Sequence, residues 1–555
     1  MLRPSVIGVV SRGIAAAMLL ACIALAAQDV RTNGVTYQDI RDGFKNTSRW
    51  LTYSGDYTSQ RHSPLTQITP TNVDKLAVQW TFNAEGMSRG RGFEATPLVL
   101  DGIIYITGTN NWAFAIDART GSTIWQHKRA LPTGLTYGGG NIVNRGFGLL
   151  GNSLFMATLD AHITALDRST GETIWDTTMA DFKQGHAATV SPLVVKDKVI
   201  VGNSGGDEPT KGFIDAYDAK TGARVWRFNT IPAPGEPGGD TWPIPEVVPR
   251  GGGAAWVIGS YDPELNLLYW GTGNPNPDYY DADRKGDNLY TASIVALDAD
   301  TGKLKWHFQF TPQDNHDWDA NQIPVIADLT IKGRARKVVM VASRNGFFYV
   351  FDRATGELLL TKVFTNTPWA REIGPDGRPI VLNTGMIKPG ETEATTTCIP
   401  DNYGATNFSP PSYDPARQLF YAMTRETCAI YFPQFQVPVP GRLYNGGTVK
   451  RVSTPETEYS SVRAIDVTTG DVKWEFKVGV PSMAGVMTTA SGLVFAGSQE
   501  GNFNALDAST GKKLWSTNTG ANIYGAAATT FMLDGRQMVL IPSGTKLIAF
   551  ALPKN

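Results

Sequence analysis

Three carboxylates crowd into six residues at Asp314-Asn-His-Asp317-Trp-Asp319. Carboxylates this close repel one another unless a cation sits among them or one keeps its proton, so the stretch marks a metal centre or an acid poised for proton transfer. Solvated loop acids are the idle alternative. Upstream, Gly271-Thr-Gly-Asn274-Pro275 follows the apolar run Leu267 to Trp270, which puts Asn274 on a loop at a strand end. Its carboxamide oxygen is a hard ligand suited to calcium, although Thr-Gly-Asn-Pro also occurs simply as a turn. Two arginines stand in short polar turns, Arg145 in Val143-Asn-Arg-Gly146 and Arg344 in Ser343-Arg-Asn-Gly346. A guanidinium fork matches a planar anion better than an ammonium does, and a surface salt bridge is its everyday use. No nucleophile with a matching base and orienting acid emerges, which leaves hydrolase chemistry with little support.

Such groups need a scaffold, and bulk properties narrow the choice. Charged residues are 18% of the 555, hydrophobic residues 42%, and there are 58 glycines, the balance of a packed, turn-rich globular chain. The formal net charge of -1, with no basic run, lacks the electrostatic footprint of a nucleic-acid binder. At the amino terminus Arg3 and Arg12 precede an apolar stretch from Ile14 to Ala27, followed by Gln28 and Asp29. This is the layout of a secretory signal peptide, too short to span a bilayer, with Ala24 and Ala26 suiting cleavage near residue 26 or 27. Leu19-Leu-Ala-Cys22 offers a rival lipoprotein reading, weakened because the apolar run continues past Cys22. The expectation is a periplasmic chain that loses residues 1–27 and has no transmembrane segment when mature. In that oxidising compartment Cys398 and Cys428 are expected to pair, two separate buried thiols being the alternative.

One pattern recurs: an apolar strand end, Asp, two residues, Thr-Gly, three residues, Trp. Full copies start at Asp117, Asp167, Asp218, Asp298, Asp466 and Asp507, and a variant at Asp352 carries Leu360 in place of the tryptophan. Asp and Thr bond turn backbone and Gly takes positive φ, so each copy reads as a hairpin whose Trp lies on the following strand. A single unit cannot cover its own apolar faces, but units stacked radially as blades can. Adding Trp80 gives eight docking positions, at 80, 125, 175, 226, 306, 360, 474 and 515. The expected fold is all-β, a single eight-bladed propeller over residues 28–555, closed by pairing Lys546 to Ala551 with amino-terminal strands. Surplus chain falls between 226 and 306 and between 360 and 474, in the Pro- and Gly-rich loops where function concentrates.

This repeat resembles that of the pyrroloquinoline quinone (PQQ)-dependent alcohol and glucose dehydrogenases, over most of residues 45 to 550. Trp50-Leu-Thr-Tyr53-Ser-Gly-Asp56 with Leu65, Ile68 and Asn72 is similar to the family's opening signature, and Gly271 to Pro275 and Trp318-Asp319 to its site motifs. The resemblance implies a dehydrogenase that takes the proton of an alcohol or sugar while hydride passes to the quinone. It assigns Asp319 as the general base, with Arg344 bonding the quinone oxygens. Arg145 would hold a cofactor carboxylate, Trp256 would stack on the quinone, and Glu94, Ser204, Gly205 and Gly206 fall at cofactor-lining positions. Asn274, Asp319 and Asp207 would bind the cation that polarises the quinone carbonyl. Cys398 and Cys428 match a family disulfide. No Cys-x-x-Cys-His occurs, so no c-type haem is attached to this chain and electrons must leave to a separate cytochrome or quinone.

Three positions depart from the family pattern. Asp207, with Glu208 beside it, replaces the family's metal-binding Glu, which puts metal affinity in question. Gly138-Gly-Gly-Asn141 stands where methanol-oxidising members carry two adjacent cysteines over the quinone. Asn321 replaces the extra Asp of lanthanide-using relatives, and one fewer carboxylate favours a divalent ion, calcium. The competing reading is a non-catalytic propeller, either an outer-membrane assembly scaffold, which is shorter and lacks the site motifs, or a degenerate homologue without cofactor. Selectivity is expected from the loops Met87 to Phe93 and Pro368 to Cys398.

Overall fold

The computed structural model describes residues 34–87, 91–135, 142–387, 398–452, 454 and 457–554. The expected signal peptide, including Cys22, and residues Gly138 to Asn141 lie outside the described residues.

Eight sheets follow one another along the chain, each with a four-stranded antiparallel blade, and the seventh gains His62–Ser63 as a fifth, parallel strand. Blade 1 comprises Leu98–Leu100, Ile103–Thr107, Trp112–Asp117 and Thr123–Lys128. The innermost strands of blades 2 to 8 are Gly148–Leu150, Leu193–Val195, Ser260–Asp262, Val325–Ile331, Ser412–Asp414, Val486–Thr489 and Thr529–Leu533. Blade 8 takes its fourth strand from the other end of the chain: Ala77–Asn83 pairs antiparallel with Lys546–Ala551, the closure expected from sequence. Two extra ribbons, Ala370–Ile373 with Pro379–Val381 and Ala429–Pro433 with Gly447–Arg451, sit within the long connections.

The repeated motif is a clasp between blades as well as a turn. Asp117 Oδ1 accepts the N–H groups of Arg119 and Thr120 at 2.8 and 3.0 Å, and Gly121, at φ +74°, closes the turn. Trp80 of blade 8 lies flat on that turn, where a Cβ on Gly121 would come within 2.7 Å of the indole. Its Nε1 donates to the Ala118 carbonyl at 3.0 Å. The same clasp recurs from Trp125 to Arg168 O, Trp175 to Ala219 O, Trp226 to Ala299 O, Trp306 to Arg353 O and Trp474 to Ala508 O. Leu360 has no N–H to offer, and Lys362 covers the next turn glycine, Gly470, instead.

The segment from Trp50 to Ser63 crosses the inner strands. It exchanges backbone bonds with Val99, Ile326, Tyr413 and Thr488, and the Tyr57 hydroxyl donates to Val194 O at 2.7 Å. Arg61, fully buried within it, donates to the carbonyls of Tyr53 and Ala528 and to Thr96 Oγ1. That opening signature therefore ties the inner strands of several blades together.

Candidate active site

In every blade the first and second strands are antiparallel, so the chain entering the first and leaving the second meet at one end of the propeller. Glu94, Arg145, Trp256 and Asp319 precede first strands, while Ser204 to Asp207, Asn274 and Arg344 follow second strands. Topology alone delivers all of them to one face. There, a cavity of about 280 Å³ is lined by Arg145, Ser204 to Asp207, Trp256, Asn274, Asp319 and Arg344. Glu94 is placed one layer back, ion-paired through Oε2 with Arg145 Nη2 at 3.0 Å. Burial pushes its carboxyl up, with Arg145 opposing the shift.

Asp319 is the best-determined group in the cavity. Its Oδ1 accepts the Asn274 N–H at 2.8 Å, and its Oδ2 accepts Trp256 Nε1 at 2.9 Å and Arg344 Nη2 at 2.7 Å. Three donors from two neighbouring blades thus aim one carboxylate. Gly273 leaves room for it: a Cβ there would lie 2.7 Å from Asp319 Oδ1 and 2.9 Å from the Ala254 carbonyl. Arg344 is held in turn by the carbonyls of Asp317 at 2.6 Å and Asn402 at 3.1 Å, and by Asn407 Oδ1 at 3.3 Å. Asp317 makes this contact with φ at +63°, a strained conformation for a residue bearing a Cβ. Its side chain accepts from Asn402 Nδ2 at 3.1 Å.

The opposite wall is aromatic and cationic. Arg145 lies 4.6 Å from the ring centres of both Trp256 and Phe408, and its Nη1 donates to Thr189 Oγ1 at 2.6 Å. Thr189 bonds Ser204 Oγ at 2.8 Å, tying the Arg145 and Ser204 loops together. The Nε atoms of Arg145 and Arg344 are buried with no partner, so each guanidinium keeps a donor in reserve.

Acid collects in one corner. Burial, with Asp319 as a like-charged neighbour, pushes Asp207 up to about 6. Asp278 is pushed well up by burial and then by Asp317 and Asp207, and Asp317 by burial and by Asp319 and Asp207, with Arg344 opposing the shift. Four carboxylates facing chiefly one buried cation, Arg344, make a corner short of positive charge. Asn274 borders it with its amide nitrogen donated to Asp278 Oδ1 at 2.8 Å and to the Pro275 carbonyl, which leaves Oδ1 as the atom it can offer a cation. Asp207 lines the cavity; Glu208 packs against Gly185, and Asn321 donates to the Ala254 carbonyl outside the cavity.

Sequence reading missed part of the lining, including Asn402, Tyr403, Asn407, Phe408 and Tyr524, while Arg91 lies in the Met87 to Phe93 loop expected to set selectivity. Asp317 stood in the acid cluster without a role. The Cys398–Cys428 disulfide is present, at the root of the segment that delivers Asn402 to Phe408.

The residues suit a flat anion laid on the Trp256 indole, with the Arg145 and Arg344 guanidinium groups at its edges and the carboxylate corner beside it for a cation. Comparison with known proteins gives that ligand its name. Residues 50–374 and 475–539 match the family model of the PQQ glucose/ethanol/alcohol dehydrogenase β-propeller domain. The chain is 34% identical to a quinoprotein ethanol dehydrogenase of Pseudomonas putida, covering 98% of this chain and 93% of the relative. It is 34% identical to a lanthanide-dependent methanol dehydrogenase of Methylacidiphilum fumariolicum, covering 90% and 85%. The crystal structure of quinohemoprotein alcohol dehydrogenase from Comamonas testosteroni superposes with a TM-score of 0.86 at 32% identity, covering 95% of this chain and 84% of that one. An eight-bladed propeller with this lining, matched along nearly its whole length, belongs to the PQQ-dependent alcohol dehydrogenases, oxidoreductases that act on CH–OH groups.

Proposed function

We propose that this chain oxidises a primary or secondary alcohol, or an aldose, with PQQ and calcium held in the cavity, and hands the electrons to a separate cytochrome or quinone. The single observation that carries the reading is the aim of Asp319, fixed by Asn274, Trp256 and Arg344 at the rim of the acid corner. Bound PQQ supplies a two-electron acceptor, and the cation supplies Lewis acidity at its carbonyl. The protein does the rest by position. Arg145 and Arg344 hold anionic oxygens, Trp256 covers one face, and the Ser204 to Gly206 backbone closes one edge. Asp207 and Asn274 Oδ1 take the cation. Among the described residues no three His, Cys, Asp or Glu side chains form a ready metal cage. Asp319 receives the hydroxyl proton of the alcohol, with its lone pairs oriented by the three donors.

Location and organisation follow from the same reading. The leader at residues 1–27 directs export to the periplasm, where the Cys398–Cys428 disulfide persists. Residues 28–555 act as one propeller domain. Among the described residues no helix is long and apolar enough to cross a membrane. The test is to load purified protein with PQQ and calcium and screen alcohols and sugars with an artificial electron acceptor. Turnover on a CH–OH substrate is expected; saturable PQQ binding with no turnover on any of them would favour the degenerate, non-catalytic reading.

A further inference from the structure

Asn274 and Asp319 are delivered by different connections. Asn274 lies in residues 272–292, between Leu267–Gly271 and Ser293–Asp298 of blade 4, and Asp319 in residues 310–324, between blades 4 and 5. At the site end the two loops are joined by the Ala320 N–H to the Thr272 carbonyl at 3.0 Å and by the Asn274 N–H to Asp319. Loops joined only there can still pivot about that line, and a tie away from it is needed to fix their spacing. At the outer edge Gln313 and Asn315 donate to Asp281 Oδ2 at 3.1 and 3.4 Å, part-buried bonds for which water competes.

The buried tie is Arg284, which has no exposed surface. Its Nε and Nη2 both donate to the Pro277 carbonyl, at 3.2 and 2.9 Å, Nη2 donates also to the Asp314 carbonyl at 2.6 Å, and Nη1 donates to Asn288 Oδ1 at 3.0 Å. Pro277 precedes Asp278, whose Oδ1 holds the Asn274 amide nitrogen at 2.8 Å. Asp314 Oδ2 accepts the Trp318 N–H at 2.9 Å, one residue before Asp319, and the Trp318 indole is pinned to the Asp401 carbonyl at 2.9 Å. One planar group therefore reaches the supports of both loops. An ammonium has donors but no fork of fixed span, so a lysine could not keep all three oxygens. Those oxygens are neutral acceptors, which repay the desolvation of a buried charge poorly, so position is what the contact delivers.

We infer that Arg284 is a positioning residue for the oxidation: by joining the Pro277 and Asp314 carbonyls it sets the spacing between the cation ligand Asn274 and the base Asp319. The inference rests on the proposed alcohol oxidation and adds a residue that acts through two others. Arg284→Lys keeps the charge and loses the fork. Isothermal titration of calcium into chelator-stripped, PQQ-saturated protein is expected to show affinity about 10- to 100-fold weaker than the parent's, the usual effect of removing a support behind a metal ligand. At saturating calcium and PQQ, kcat on ethanol should fall about tenfold or more while KM stays within about threefold. Arg353→Lys controls for a merely structural role, because that buried guanidinium is held on Asp262, Asp328 and the Ala327 carbonyl at the opposite, turn end of the same blades. It should lower the denaturant midpoint yet leave calcium affinity and kcat within about twofold. Asn288→Gly tolerates the φ of +60° there and releases Arg284 Nη1; it should weaken calcium about three- to tenfold and lower kcat in step, and it decides the matter where Arg284→Lys does not fold. Calcium affinity and kcat within about twofold of the parent in folded Arg284→Lys, or in Asn288→Gly, overturn the inference. So does an equal loss in Arg353→Lys, which would make the effect one of general loosening. Calcium binding that Arg284→Lys weakens in a parent that oxidises no alcohol would support the positioning and count against the dehydrogenase reading.

Discussion

Replacing Asp319 by Asn keeps the shape of the side chain and removes its charge and one acceptor. In the structure the carboxylate accepts three N–H bonds, from Asn274 on one oxygen and from Trp256 and Arg344 on the other. The amide best keeps its oxygen toward Trp256 and Arg344, which turns its NH2 group against the Asn274 N–H. A buried donor left facing a donor costs about 1–3 kcal/mol, and weakening the charge-assisted bond to Arg344 adds about 1–2 kcal/mol. Arg344 keeps the Asp317 and Asn402 carbonyls, so the cavity wall should survive. Asp319→Asn is therefore expected to lose about 2–5 kcal/mol of stability and to fold. Its turnover should fall by roughly 10² to 10⁴, the usual worth of a positioned general base. Denaturant titration measures the first quantity, dye-linked alcohol oxidation the second, and quenching of protein fluorescence by PQQ the cofactor affinity. Turnover within threefold of the parent, at equal cofactor occupancy, would remove Asp319 from the role of base. A lost affinity with normal turnover per bound cofactor would make it a cofactor ligand instead.

Gly273→Ala drives a methyl to within 2.7 Å of Asp319 Oδ1 and 2.9 Å of the Ala254 carbonyl; turnover should drop about tenfold or more, in a dye-linked assay, while the far-ultraviolet dichroism stays unchanged. Gly121→Ala meets both the Trp80 ring and a φ of +74°, and should cost about 2–4 kcal/mol in denaturant titration. Gly134→Ala, at φ +82° in open space, should lose only the backbone part, about 1–2 kcal/mol. Treatment with a strong chelator should abolish turnover and calcium should restore it, followed as initial rates; full activity after exhaustive chelation would contradict the metal assignment.

Much of the fold was legible because one motif repeats and its physics is local: Asp caps a turn, Gly opens it, Trp packs. What the repeat did not reveal is the clasp, in which Trp80 grips Ala118 and Gly121 of the next blade, since that contact exists only after the blades close. Arg145, Trp256, Asn274, Asp319 and Arg344 were legible as a set through resemblance, and their meeting follows from the shared end of first and second strands. Glu94 differs in detail, because it supports Arg145 from behind and does not border the cavity. Phe408, Tyr403 and Tyr524 gave no local signal, and Arg91 stood out only as part of the Met87 to Phe93 loop. Arg91 and Tyr524, 5.2 Å apart as a cation and a ring, are brought together only by ring closure between the last blade and the first. The choice between Asp207 and Glu208 likewise depended on which side chain the loop turns inward.

The central claim is that one cavity gathers its ligands around a single flat anion and a cation. A crystal structure of protein loaded with PQQ and calcium tests it directly. Planar density is predicted against Trp256, with Arg145 and Arg344 at its edges and a cation about 2.3–2.6 Å from Asn274 Oδ1 and an Asp207 oxygen. Density elsewhere on the propeller, or a cavity closed by its own side chains in the presence of saturating cofactor, would contradict it.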